Sequence, residues 1–76
     1  MQFKMLDKLI LRSLNIPGYV TTGKTVAFFI KQHPKGVIEV TGGDDNHFLI
    51  TLEDILYAYD VETKLLKYQR NMDRAL

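Results

Sequence analysis

Between Thr25 and Thr51 the chain is written in strand periodicity and reverses direction twice. Val26, Phe28 and Ile30 alternate with Ala27, Phe29 and Lys31, and β-branched and aromatic residues dominate. Gln32-His33-Pro34-Lys35-Gly36 follows, with Pro34 suited to the second position of a turn and Gly36 to a positive φ. Val37, Ile38, Glu39 and Val40 make a return strand. Gly42-Gly43-Asp44-Asp45-Asn46 is a second turn, and His47 to Thr51 is a third strand with Phe48 and Ile50 on one face. This stretch predicts a three-stranded antiparallel meander over about 25–51 and constrains the fold more than any other part of the chain.

The flanks read differently. Pro17-Gly18 ends whatever precedes it. Over 1–16, Phe3, Leu6, Ile10 and Leu14 recur at helical spacing, while Ile10, Leu14 and Ile16 also share one face of a strand starting near Lys8. Both readings stay open. After the meander, Thr51-Leu52-Glu53-Asp54 has the form of a helix start, with Thr51 as cap and Asp54 at the capping-box position. Leu52, Ile55, Leu56 and Tyr59 then share a helical face, and Val61, Leu65, Tyr68, Met72 and Leu76 form a second stripe. A rival is a hairpin, with Tyr57 to Val61 and Lys64 to Tyr68 turning at Glu62-Thr63. That turn has no Gly, Asn or Pro, so helix is favoured. The expectation is an α+β fold: the meander, an N-terminal strand or helix, and a helical C-terminal third.

The chain has 76 residues, which predicts one small domain. A core of that size gains little beyond the conformational entropy it must offset, so a partner subunit is expected and the chain reads as a homodimer. There is no Cys, so disulfides and thiolate metal sites are excluded, and a cytoplasmic location is expected. The apolar run Leu9-Ile10-Leu11 is bounded by Lys8 and Arg12, too short for a signal-peptide core or a membrane span.

Net charge is +1, yet the charges are segregated. Residues 1–35 carry Lys4, Lys8, Arg12, Lys24, Lys31 and Lys35 against Asp7 alone, a sum of +5. Residues 36–62 carry Glu39, Asp44, Asp45, Glu53, Asp54, Asp60 and Glu62 with no Lys or Arg, a sum of −7. Residues 63–76 carry Lys64, Lys67, Arg70 and Arg74 against Asp73, a sum of +3. Either one face meets an anionic partner or the blocks meet in space and pair, and pairing is the favoured reading. On the expected helix, Lys64, Lys67, Arg70 and Arg74 make one basic stripe that can grip phosphates or serve as a solvated face.

Gly18-Tyr19-Val20-Thr21-Thr22-Gly23-Lys24-Thr25 matches the phosphate-loop pattern G-x-x-x-x-G-K-[ST]. Such a loop cradles phosphate because a helix N-terminus follows it. Here β formers follow Thr25, and the chain is too short for the parallel strands and crossover helices such a fold needs. Nucleoside triphosphate binding is therefore not expected. His33 and His47 would need a carboxylate such as Asp44 or Asp45 to hold a metal, and read more simply as exposed loop residues. Asp44-Asp45-Asn46 lacks the spacing of an EF-hand calcium loop, and the sole serine, Ser13, has no evident His partner. No catalytic residue, metal or cofactor is expected.

Several segments carry a resemblance. Leu9-Ile10-Leu11-Arg12 opens the region, Gly23, Val26, Phe28 and Ile30 follow, then Ile38-Glu39-Val40, and then Phe48-Leu49-Ile50-Thr51-Leu52-Glu53-Asp54-Ile55. In this order and spacing, region 9–55 resembles the carbon storage regulator family of bacterial RNA-binding translation regulators. The resemblance implies an intertwined dimer of five-stranded chains, each ending in a helix. The residues with which that family grips RNA largely do not carry over: Ser13-Leu14 stands for a basic pair and Leu52 for the arginine ending the last strand. Asp45 to Asp54 has a fainter likeness to Sm-like RNA-binding barrels, with Leu49 where those have Asn. The expected function is a non-catalytic regulatory module binding RNA through Lys8, Arg12, Lys64, Lys67, Arg70 and Arg74. The alternative is a small protein-interaction or inhibitor module, of the phage or plasmid kind, using the acidic centre or Tyr57, Tyr59 and Tyr68.

Overall fold

The computed structural model describes residues 2–12, 25–42 and 46–70. Its elements are β1 (Lys8–Leu11), β2 (Thr25–Gln32), a 3-10 turn (Pro34–Gly36), β3 (Val37–Thr41), β4 (His47–Thr51), a second 3-10 turn (Leu52–Asp54), β5 (Ile55–Tyr59) and β6 (Leu66–Gln69). All six strands belong to one sheet in the order β4-β3-β2-β1-β5-β6, and every pairing is antiparallel. The meander expected over 25–51 is present as β2, β3 and β4, and the undecided N-terminus contributes a strand. Among the described residues no helix is long and apolar enough to cross a membrane.

Alternation sorts the side chains. Leu9, Leu11, Ala27, Phe29, Ile38, Val40, Ile50, Ile55 and Ala58 point inward and form one buried cluster, joined at its margin by Phe3, Phe48 and Tyr68. Phe3 stacks at 5.5 Å on Phe29 and meets Tyr68 edge-on at 6.2 Å. The molecule measures 36 × 27 × 26 Å. Its least dimension far exceeds one flat layer, since stacked sheets lie only ~10 Å apart. The sheet therefore curls over its own apolar face, because among the described residues no helix is present to cover it.

The expectation of an α+β fold with a helical C-terminal third is overturned: β5, a turn and β6 occupy that region. Two physical features account for the error. First, β5 carries a bulge. Ile10 pairs with Tyr57 and Leu11 with Ile55, so Leu56 is an extra residue in the ladder. Ile55 and Leu56 are then both buried, and Ala58 after them. A bulge thus places neighbouring apolar residues on the core side, which imitates helical spacing. Second, the turn needs no Gly, Asn or Pro because Asp60 supplies the geometry. Its Oδ1 accepts the N–H of Glu62 at 2.8 Å and of Thr63 at 2.9 Å, and Lys64 takes the left-handed conformation at φ 66°. The hairpin rival was the correct reading.

The capping box at Thr51 is also real but shorter in reach than expected. The Thr51 N–H donates to Asp54 Oδ2 at 3.0 Å. It closes one 3-10 turn and hands the chain to β5, whose return beside β1 places β1 at the centre of the sheet. The stretch Gly18 to Lys24 lies outside the described residues, and from Thr25 the chain runs straight into β2. A phosphate loop would lead into a helix there.

Ile55 has no exposed surface, whereas Leu66 is half exposed on the outermost strand. Ile55→Ala is expected to cost about 2–5 kcal/mol. Leu66→Ala is expected to cost well under half as much, with both read as shifts in urea unfolding midpoint at unchanged slope.

Candidate functional site

Asp7, the single acid in the basic first third, is fully buried. Its Oδ2 accepts the Lys4 N–H at 2.8 Å and the Lys67 ammonium at 2.8 Å, and its Oδ1 accepts the Val61 N–H at 2.8 Å. Its own carbonyl accepts the Phe29 N–H at 2.9 Å. Lys67 reaches inward because of a second bulge: Ala58 pairs with Tyr68 and Tyr59 with Leu66, leaving Lys67 as the extra residue with its side chain re-aimed. Burial pushes the Asp7 carboxyl up, but the Lys4 N–H, the Lys67 ammonium and the Val61 N–H outweigh it and hold the group below its ordinary value.

Asp60 lies beside it. The N–H of Thr63, the Lys4 ammonium at 2.9 Å and the N–H of Glu62 hold its carboxyl far below the usual carboxylate range. Lys4 also reaches Glu62 at 3.3 Å, and Lys67 lies 3.8 Å from Asp60. Arg12 is tied twice to one residue: its N–H donates to the Asp54 carbonyl at 2.9 Å and its guanidinium pairs with the Asp54 carboxylate at 2.8 Å. From the basic first block, Lys4 and Arg12 thus pair with Asp60, Glu62 and Asp54 of the acidic middle block.

The two histidines are not independent loop residues. Glu39, on β3, lies between them: His33 Nε2 is 2.7 Å from one carboxylate oxygen and His47 Nδ1 is 2.8 Å from the other. These contacts hold the Glu39 carboxyl below its ordinary value. Asp44 and Asp45, the partners expected from sequence, lie outside the described residues. No group of three such ligands among the described residues is arranged to hold a metal ion. Glu39 was visible as an acid two residues before Thr41, which pairs with His47, so strand register was the signal that located it.

The outer face of the sheet is organised by register. Lys8 stands directly across from Phe28 on one side and Tyr59 on the other. Ile10 stands across from Val26 and Tyr57. Two rows result, Phe28–Lys8–Tyr59 and Val26–Ile10–Tyr57, on the side that faces away from the core. Over them runs a groove of about 390 Å³ lined by Leu6, Lys8, Ile10, Phe28, Tyr59, Asp60, Val61 and Lys64. Lys8 makes no ion pair among the described residues, and the Lys64 ammonium contacts only the Val61 carbonyl, at 3.0 Å. The Asp60 oxygens are occupied by the donors named above, so the free charge at the rim is positive.

Leu6 and Lys64, at the groove mouth, both have positive φ, 71° and 66°. A left-handed residue other than Gly costs about 1–2 kcal/mol. The surroundings hold both: the Leu6 N–H donates to the Phe29 carbonyl at 2.7 Å, and the Lys64 N–H to the Asp60 carbonyl at 2.9 Å. Backbone strain of this kind gathers where a surface is shaped for use.

The six cations proposed from sequence therefore separate. Lys8 and Lys64 come together at the groove. Lys67 turns inward to Asp7, Arg12 is held by Asp54, and the Arg70 guanidinium donates to the Glu53 carbonyl. Arg74 lies outside the described residues. Over Lys64, Lys67 and Arg70 the expected helical stripe is replaced by β6 and the turn before it, which send these three residues to different partners. The aromatic rows beside Lys8 were missed, although the alternation of β2 and the Tyr57-Ala58-Tyr59 pattern carried the signal. Compared with family models, with curated proteins and with solved structures, the chain matches none.

Two predictions follow from the ion pairs. Asp7→Asn takes the nearest carboxylate from the mostly buried Lys67 ammonium, leaving only Asp60 at 3.8 Å, and is expected to cost about 3 kcal/mol in urea unfolding. Adding Lys67→Met should recover part of that loss, and a cycle without recovery would show that the pair is not coupled. Asp7 and Asp60 have an ordinary value of 3.8 and Glu39 one of 4.5, and all three are lowered on folding. The folded chain then binds fewer protons than the unfolded one. Stability is expected to be full above about pH 5 and to fall as pH drops through 4. Asp60→Asn should flatten that decline in denaturation midpoints measured from pH 7 to pH 3.

Proposed function

We propose that this chain is a non-catalytic regulatory module that binds RNA across the outer face of β1, β2 and β5, in the cytoplasm and as a homodimer. The observation that carries the reading is the groove itself: a half-buried aromatic and aliphatic face with Lys8 and Lys64 at its rim and the carboxylates of Asp60 and Glu62 already engaged. Phosphate attracts such free ammonium groups, and apolar ring surface lies beside them. The likeness of region 9–55 to the carbon storage regulator family suggests the same class of ligand, but the architecture it implied does not carry over, since this chain has six strands in one sheet and a β5–β6 hairpin where a helix was implied. The site differs from that expected from the basic stripe, since only Lys8 and Lys64 of the six cations support it. A homodimer is favoured by the small core and by β4 and β6, each of which has a strand neighbour on one side only among the described residues. The rival reading, a protein-interaction or inhibitor module, draws on the same half-buried rings and would give binding that survives moderate salt.

Anisotropy titration with labelled RNA tests the reading. Binding should weaken steeply between low and moderate salt, and Lys8→Ala and Lys64→Ala should each weaken it several-fold. Lys35→Ala, in the β2–β3 turn, should leave it unchanged. Lys64→Gly separates binding from stability: it relieves the left-handed backbone and is expected to stabilise the fold by about 1 kcal/mol while binding falls. Absence of binding to any RNA at low salt would overturn the reading. Light scattering should give twice the 8.8 kDa of one chain.

A further inference from the structure

From the register of the outer face we infer that the groove takes an unpaired stretch of RNA, with a base laid against the Phe28–Lys8–Tyr59 row, and not a duplex. The inference rests on the proposed function and adds the form of the ligand and its mode of seating. Phe28 and Tyr59 flank Lys8 from the two neighbouring strands. Adjacent strands lie about 4.8 Å apart, so the two rings rise from backbones roughly 10 Å from each other. Lys8 stands between them on the same face, and Ile10 follows two residues along the strand. A flat base can lie on this row of rings and lysine. In a duplex the faces of the bases are covered by their neighbours, so an aromatic wall has nothing to stack on. In a single strand each base presents a free π-face, and stacking on aromatic side chains is the main sequence-tolerant contact.

The charges fit the same occupant. Lys8 lies between the rings and Lys64 stands at the mouth, so two ammonium groups are placed along a short path. A duplex reader needs cations spread across a groove to meet two backbones. Among the described residues the other candidates, Arg12, Lys67 and Arg70, are engaged by the Asp54 carboxylate, the Asp7 carboxylate and the Glu53 carbonyl. Two phosphate contacts to a single strand imply a slope of about −1.4 in log affinity against log salt, from roughly −0.7 for each. Leu6 and Lys64, both left-handed, line the same groove.

The test uses the full chain and two probes: a labelled ten-nucleotide oligouridylate with no internal pairing, and a duplex RNA of the same length. The variants are Phe28→Leu and Tyr59→Leu, which keep apolar bulk and remove the π-face, together with Lys8→Ala. Unfolding midpoints establish that each variant is folded. The single strand is expected to bind at least tenfold more tightly than the duplex. Each leucine variant should lose about tenfold for the single strand and nothing for the duplex. Tyrosine emission should be quenched on binding in the wild-type chain and largely retained in Tyr59→Leu. Equal affinity for both probes, or leucine variants within twofold of wild type while Lys8→Ala still weakens binding, would overturn the inference and leave RNA binding standing. Loss of binding to both probes at low salt would overturn the two readings together.

Discussion

The fold turns on one buried carboxylate. Asp7 has no exposed surface, and three separate segments bring donors to its carboxylate: the N-terminal turn through Lys4, the β5–β6 turn through Val61, and β6 through Lys67, while its backbone carbonyl accepts the Phe29 N–H from β2. An unpaired charge in that position would be strongly destabilising, so the donors and the carboxylate hold each other in place. The sheet has no helical layer among its described residues, so this polar knot performs a task that a covering helix would otherwise share. It fixes how the N-terminus and the last hairpin close against the centre of the sheet.

The knot also decides which cations remain for a ligand. Lys67 and Lys4 are used to neutralise Asp7, Asp60 and Glu62, and Arg12 neutralises Asp54. What is left over beside an apolar surface is Lys8 and Lys64. Placement of β1 at the centre of the sheet then gives Lys8 an aromatic neighbour on each side. Stability and the candidate site are thus two products of one sorting of charges: carboxylates draw Lys4, Arg12 and Lys67 into structural roles and leave a small positive rim on the outer face.

Legibility varied along the chain for identifiable reasons. The meander was readable because β2, β3 and β4 alternate over most of their length, with one irregularity at Ile30 late in β2, and are joined by turns with Pro34 and Gly36 or with consecutive glycines. The last third misled because its strands are bulged: Leu56 and Lys67 are extra residues that break the period and imitate helical spacing. The Asp60 turn was unreadable as a turn because its geometry comes from a side chain and a left-handed lysine, not from Gly or Pro. The basic stripe fell with the helix that would have displayed it. The Glu39 contacts to His33 and His47 needed strand register, which local propensity does not supply.

By itself the sequence determined the strand character of 25–51, the absence of cysteine chemistry, the segregation of charge and the isolation of Asp7 among cations. These are properties of residue types and their spacing, and they act over a few neighbouring residues. Only the tertiary structure decided that β5 returns to β1, that Asp7 is the buried acid, which lysines stay free and that Phe28 and Tyr59 stand on either side of Lys8. Those outcomes join residues up to 60 positions apart, as Lys67 is from Asp7. They depend on how one sheet must curl to bury a single apolar face, a constraint that no local pattern contains.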